Sequence, residues 1–267
     1  MSYHDGELEA QRRAGVSDLA SRVGRIIRPT IPPAAAQFLA ERSFVVAATV
    51  AGDGRVHASA LSGAARALDD TTIVLRPASG HIAVVREDVA ATGVIGLLAI
   101  DFATKRRMRV NGRAEVRGDE IVVSTDEVYS NCPQYIDGHA RPIDLAFTRT
   151  DRTTSLSERQ QRTIAEASTF FIASAHPERG ADVSHRGGPP GFVHADSDRV
   201  SWPDFPGNNM FNTIGNLLVN PRCGLLFVDM AAGTALQIEG VASVQWEGER
   251  RVDVAVEGCE ESRVLPR

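Results

Sequence analysis

This chain has few of the residues that mark a metal or redox centre. It has three cysteines in 267 residues, Cys132, Cys223 and Cys259, and none stands in CxxC spacing. That excludes a zinc ribbon and a thioredoxin-like pair. His57, His81, His139, His176 and His194 are scattered without metal-ligand spacing, so no metal is expected. No apolar run approaches the ~18 residues of a membrane span. The opening stretch, MSYHDGELEAQRRAGV, is polar and lacks the apolar core of a secretory leader. With an odd cysteine count, this leads to the expectation of a reducing, cytoplasmic setting. A formal net charge of −5 offers no general basic surface for nucleic acid. The densest basic run, KRR at 105–107, reads as a solvated hairpin end. GxSxG, HExxH, a P-loop and GxGxxG are all missing, which removes the commonest hydrolase, metalloprotease and nucleotide-binding readings.

What is present is a repeat. FVVAATVAGDGRVHASALSG, from Phe44, is answered by FFIASAHPERGADVSHRGG, from Phe170. GLLAIDFATKRRMRVNGRAEV, from Gly96, is answered by GLLFVDMAAGTALQIEGVASV, from Gly224. The offsets are 126 and 128 residues, too long for a solenoid unit, so each copy is domain-sized. The composition, 43% hydrophobic and 24% charged, suits a globular chain with one large or two small cores.

Four regions follow. Residues 1–31 form an N-terminal arm, with a charged helix over 7–23 ended by RPTIPP. Residues 32–118 are the first repeat, 119–156 a connecting helical segment, and 157–267 the second repeat. Residues 44–50 and 170–175 are apolar runs of buried-strand length. Asn111-Gly112 resembles a hairpin turn, but the matching IEGVA has no turn signal, so both read as one long strand with a glycine bulge. Residues 126–130 read as a helical turn broken by Cys132-Pro133. Ser157 and Gln160 form a capping box for a helix through 167. The order of helix, strands, helix, two strands is not a βαβ alternation. It indicates mainly antiparallel β with flanking helices, closed as a barrel.

Two stretches concentrate polar chemistry. PDFPGNNMFNTIGNLLVNP places Asn208, Asn209, Asn212 and Asn216, with Thr213, in or near one helix start. Free N–H groups there favour an anion. Equally, Asn208 or Asn209 serves as a simple N-cap. In DVSHRGGPPGF, Ser184, His185 and Arg186 end a strand before a glycine- and proline-rich loop. Arg186 suits bidentate phosphate contact or a surface salt bridge, and His185 alone is more often packed than a ligand.

GADVSHRGGPPGFV, DRVSWPDFPGNNMFNTIGNLLVNPRCGLLFVD and LQIEGVA together resemble the pyridoxamine 5′-phosphate oxidase-like family of flavin-binding split β-barrels, in its predicted flavin-nucleotide-binding branch. The first repeat resembles it more weakly, through FLAERSFVVAATVAGDGRVHASALSG and MRVNGRAEV. The resemblance implies two tandem split β-barrels with FMN in a groove between them. The cofactor-binding set would be Ser184, His185, Arg186, Asn208, Asn209, Asn212, Thr213 and Asn216. In the oxidases the helix start carries serine and basic residues; here it reads Phe211, Asn212 and Thr213, with no basic residue. The first repeat lacks the RGGPPGF loop, so it is expected to be the structural half of an internal pseudo-dimer. Ser59 and Ser62 would line the facing wall, and Arg76, Ser79 and His81 any residual groove.

The implied activity is flavin-dependent oxidoreduction of a small-molecule substrate or electron donor, with no catalytic side chain singled out. Nucleic-acid and membrane partners are not expected, and homodimerisation is left open. The alternative is a non-catalytic flavin, deazaflavin or haem binding or sensing protein, with His185 as a haem ligand. The oxidases' C-terminal substrate-binding segment is not recognisable, which disfavours pyridoxamine phosphate as substrate.

Overall fold

A computed structural model describes residues 3–130, 134–136, 147–149, 152–207, 209–229 and 233–264. The chain opens with three helices, α1 (Asp5–Arg13), α2 (Ser17–Val23) and α3 (Pro33–Ala40). The first repeat continues as β1 (Phe44–Val50), β2 (Val56–Ala67), β3 (Thr72–Gly80), α4 (Ile82–Thr92), β4 (Val94–Asp101), β5 (Arg106–Arg117) and β6 (Glu120–Ser130). After the short β7 (Phe147–Arg149), the second repeat runs α5 (Glu158–Glu166), β8 (Thr169–His176), β9 (Gly180–Gly187), β10 (His194–Ala195), β11 (Arg199–Pro203), α6 (Asn212–Val219), β12 (Arg222–Asp229), β13 (Thr234–Gln245) and β14 (Arg251–Val264).

The first repeat is a closed antiparallel barrel in the order β1-β2-β3-β6-β5-β4, with β4 pairing back onto β1. The second has the same order around β9-β8-β12-β13-β14-β11, but β9 and β11 do not pair. In the first repeat, β2 pairs with β3 from Leu61↔Gly80 to Ala67↔Ile73. The second repeat places the loop after Gly187 at that position. Glycine and proline there cannot continue a ladder, so the barrel stands open along one seam.

The long apolar runs are explained by burial on both faces. Alternate residues of a strand point to opposite sides. In β1, Val45 and Ala47 enter the core of the first barrel, whereas Phe44, Val46 and Ala48 enter a core shared by both repeats. In β8, Phe170 and Ile172 enter the second barrel's core, and Phe171, Ala173 and Ala175 the shared one. A buried side chain of this size contributes about 1.5–3 kcal/mol, so the shared core joins the repeats firmly. Contacts are reciprocal: β9 packs on β4 and β5, and β2 packs on β12 and β13.

The glycine bulges fall at Asn111/Gly112 in β5 and Glu239/Gly240 in β13, as the repeat indicated. Ser157 caps α5, and Gln160 Oε1 accepts from its backbone N–H at 2.9 Å. Three expectations are corrected. The helix over 7–23 is two helices, because Gly15 takes the left-handed region at φ 68°. Residues 126–130 are not a helical turn, and 120–130 are not part of a helical connector: β6 runs through them and pairs with both β3 and β5 in the barrel. The order of helix, strands, helix, two strands is one strand short, because β14 follows β13 in the second repeat as β6 follows β5 in the first. In both repeats the sixth strand has an alternating face, Val252 and Val254 entering the core of the second.

Candidate functional site

The open seam of the second barrel leads into a groove between the repeats. Its second-repeat wall holds Ser184, His185, Arg186, Phe192, Trp202, Phe205, Asn209, Phe211, Asn212 and Thr213. Its other wall holds Leu98, Arg107 and Arg109 of the first repeat, with Gln134 and Tyr135 of the connecting segment. Six of the eight predicted site residues therefore converge. Asn216 does not line the groove; it faces β8, where its Nδ2 donates to Ser174 Oγ at 3.0 Å. Asn208 lies outside the described residues.

Asn209 and Asn212 are not caps. The residue before α6 is Phe211, left-handed at φ 63°, and no side chain caps the helix. Asn212 instead anchors the helix start from its first position. Its Nδ2 donates to Glu7 Oε1 at 2.6 Å, and its Oδ1 accepts from Arg109 Nη1 at 3.5 Å. The first intrahelical bond is Gly215 N–H to Phe211 O, at 2.6 Å. The N–H groups of Asn212, Thr213 and Ile214 thus stand at the groove without intrahelical acceptors, the arrangement that attracts an anion.

A buried polar network continues from there. Thr213 Oγ1 donates to Ser184 Oγ at 3.0 Å, and Ser184 Oγ donates to Asp182 Oδ2 at 3.5 Å. Asp182 forms an ion pair with Arg109 and accepts from Tyr129 Oη at 3.2 Å and Asn111 Nδ2 at 3.3 Å. Arg109 lies 5.0 Å over the Tyr129 ring. The first repeat thus supplies the cation that the helix start lacks.

His185 is held by geometry. Arg107 Nη1 stands 3.0 Å from His185 Nδ1, and a guanidinium can only donate, so Nδ1 accepts. The proton sits on Nε2, facing Thr169 Oγ1 at 3.4 Å. Burial, then the charges of Arg107 and Arg186, hold the imidazole well below the usual histidine range, so it is neutral at pH 7. Arg186 is only loosely paired, at 3.8 Å from Asp204, which binds Arg250 more closely at 2.7 Å. Its Nε is buried and without a hydrogen-bond partner. Tyr135 and Phe205 stack at 5.4 Å on the groove wall.

Sequence reasoning missed Arg107, Arg109 and Arg250. The KRR run is not simply a solvated hairpin end, since its last residue reaches His185. The expected first-repeat wall is also corrected. Ser59 accepts from Gln237 at 3.2 Å on the opposite face, and Ser62 is buried in the closed β2–β3 seam. Reciprocal packing puts β2 against the second repeat's β13, so this groove takes its wall from β4 and β5.

The pseudo-equivalent groove is built differently. Arg76 lies on the surface with Glu120, His81 accepts from Ala60 N–H at 3.0 Å, and neither they nor Ser79 line it. It holds His57, with Nδ1 at 2.6 Å from Asp88 and Nε2 at 3.3 Å from Glu239. Glu239 also pairs with Arg55 at 3.2 Å and Arg152 at 2.5 Å. A third cluster, His4, Asp5 and His176, lies at the outer end of α1. His176 Nδ1 accepts the backbone N–H groups of Glu178 and Arg179 at 3.1 and 3.2 Å. Its Nε2 therefore carries the proton and donates to Asp5 at 3.1 Å, a hydrogen-bonded clamp rather than a metal ligand set.

Two barrels of one topology, fused and enclosing a cationic groove at an open seam, define a duplicated split-barrel protein. The pyridoxamine 5′-phosphate oxidase family profile matches residues 31–134 and 156–265, once per repeat, and the chain belongs to that family. No curated protein matches. Among solved structures, the chain is similar to a putative pyridoxamine 5′-phosphate oxidase from Lactobacillus delbrueckii, at 14% identity over 40% of this chain and 94% of that one, with a TM-score of 0.33. It is also similar to an FAD-binding protein from Mesorhizobium loti, at 11% identity over 45% and 100%, TM-score 0.33. A third is the FAD-binding protein from Mycobacterium smegmatis, at 14% identity over 43% and 100%, TM-score 0.29. Among the described residues no helix is long and apolar enough to cross a membrane.

Proposed function

We propose that the groove binds a flavin nucleotide, FMN in the first instance, and that the protein is a flavin-dependent oxidoreductase acting on a small molecule. The observation that carries this reading is the pairing of Arg186, its buried Nε unpartnered, with the free first-turn N–H groups of α6 on the same wall. A guanidinium beside oriented backbone N–H groups is a phosphate site. Arg186, Ser184, Thr213 and Asn212 would hold the phosphate end. Arg107 and Arg250 add positive potential that favours a dianion. A bound flavin supplies the electron-transfer chemistry, while these side chains bind, orient and exclude water. Both walls come from one chain, so a second subunit is not required to build the site.

Haem ligation by His185 is disfavoured, because Nδ1 is occupied by Arg107 and Nε2 carries the proton. The test is titration of the purified protein with FMN, followed by absorption and fluorescence. Binding is expected, and Arg186→Ala should weaken it by ~1.5–3 kcal/mol, the scale of a hydrogen bond to a charged group. Arg250 remains with Asp204 in that variant, so the fold should persist. Failure of the wild-type protein to bind FMN would remove the assignment. Oxidation of a reduced nicotinamide by the loaded protein then separates an enzyme from a flavin carrier.

A further inference from the structure

Helix α1 contributes no residue to the groove wall, yet it is fastened to α6 at the point where the groove's anion site begins. Gly6 meets α6 at Gly215: a Cβ on Gly6 would lie 2.1 Å from Gly215 O, and one on Gly215 would lie 2.6 Å from Glu7 N. Only paired glycines let two helix backbones approach so closely. The approach brings Glu7 beneath the first residue of α6. Glu7 Oε1 accepts from Asn212 Nδ2 at 2.6 Å, and Oε2 accepts from the backbone N–H of His4 at 2.9 Å. One turn further on, Gln11 Nε2 donates to Met210 O at 3.0 Å in the buried interior. Met210 lies between Asn209 and Phe211, both left-handed at φ 63°. Left-handed backbone at a non-glycine residue is unfavourable and persists only where its surroundings impose it. The outer end of α1 is tied down separately by Asp5 and His176.

We propose that Glu7 is a positioning residue for the cofactor groove. It holds Asn212, and α1 as a whole fixes the left-handed turn that aims the first N–H groups of α6 into the groove. The inference rests on the flavin reading for its consequence, although the positioning itself does not. It assigns a role to HDGELEAQRRAG, a segment outside both family matches. Glu7 acts through Asn212, which in turn accepts from Arg109, so α1 is linked to the first-repeat wall as well.

The positioning is tested without ligand by hydrogen exchange of the α6 peptide, residues 211–218. Glu7→Ala should speed exchange there and leave β1–β6 unchanged. Gly6→Val, which forces α1 away from α6, should do the same. Glu7→Gln, whose Oε1 can still accept from Asn212, should restore most of the protection. In FMN titrations, Glu7→Ala should weaken affinity roughly tenfold, the effect of about 1.4 kcal/mol lost at the site, and Glu7→Gln should recover most of it. Unchanged exchange in both α1 variants would overturn the positioning. Faster exchange with unchanged FMN affinity would overturn the role at the groove. If wild-type protein binds no FMN, the cofactor assignment falls and the exchange experiment still decides the positioning.

Discussion

Gly96 in β4 and Gly224 in β12 hold the two repeats together by the same device on opposite faces. A Cβ on Gly96 would lie 2.6 Å from Ala181 O in β9, and one on Gly224 would lie 2.5 Å from Val56 O in β2. Each glycine lets a strand of one barrel rest on the backbone of the other, and the shared apolar core lies between them.

Alanine at either glycine must therefore displace backbone, not a flexible side chain. Gly96→Ala and Gly224→Ala are each expected to destabilise by about 1–3 kcal/mol, the scale of overpacking a well-filled interface. Thermal unfolding measures this. Because the sites lie on opposite faces, the double variant should lose close to the sum.

The second groove yields a pH-dependent prediction. Burial alone would lower the His57 pKa, but hydrogen bonds to Asp88 and Glu239 outweigh it and raise it to about 9. For a base raised in the folded state, the stabilisation is complete below the unfolded value of about 6.5 and is lost as pH rises through about 9. Wild-type stability should therefore decline between pH 6.5 and 9 by an amount that His57→Gln does not show. Parallel unfolding curves for both proteins across that range would refute the assignment.

Flavin stoichiometry should be one per chain. Only the second repeat has an open seam. In the first, Ser62 stands at the position of Arg186 and is buried in the closed β2–β3 seam. The neighbouring groove carries the carboxylates of Asp88 and Glu239 around His57, which disfavour an anion. Saturation with FMN, desalting and quantitation of flavin against protein measures the ratio. A value near two would show that the charged groove also binds.

Arg107→Ala, a substitution in the first repeat, should weaken FMN binding at the second repeat's site by about 1 kcal/mol or more, through loss of positive potential and of the donor to His185. An affinity equal to wild type would show that the first-repeat wall is inert.

Much of the architecture was legible in the sequence, because duplication exposes itself twice. Phe44 and Phe170 marked equivalent strands, and comparing Asn111-Gly112 with Glu239-Gly240 distinguished a bulge from a turn. The sixth strands were less legible. EIVVSTDEVYS mixes charge with β-branched residues, and an isolated stretch of that kind does not reveal that its neighbours supply a ladder. For the candidate groove, the part clustered in sequence was legible, since Ser184, His185, Arg186, Asn212 and Thr213, which line it, sit on one strand end and one helix start. Asn216, one turn further, points to β8, and helical periodicity alone does not tell which face meets a cofactor.

The sequence by itself determined the duplication, the strand-rich pattern and the glycine- and proline-rich loop after the second repeat's Arg186, because these follow from local periodicity and from where glycine and proline stand. That this loop leaves one barrel open was decided by the tertiary structure. Only the tertiary structure decided which residues share the groove. Arg107 and Arg109 join it because β9 lies across β4 and β5. Glu7 reaches Asn212 because two glycines allow α1 and α6 to touch. Such pairings depend on how distant backbones pack, and no local pattern in the chain encodes that distance.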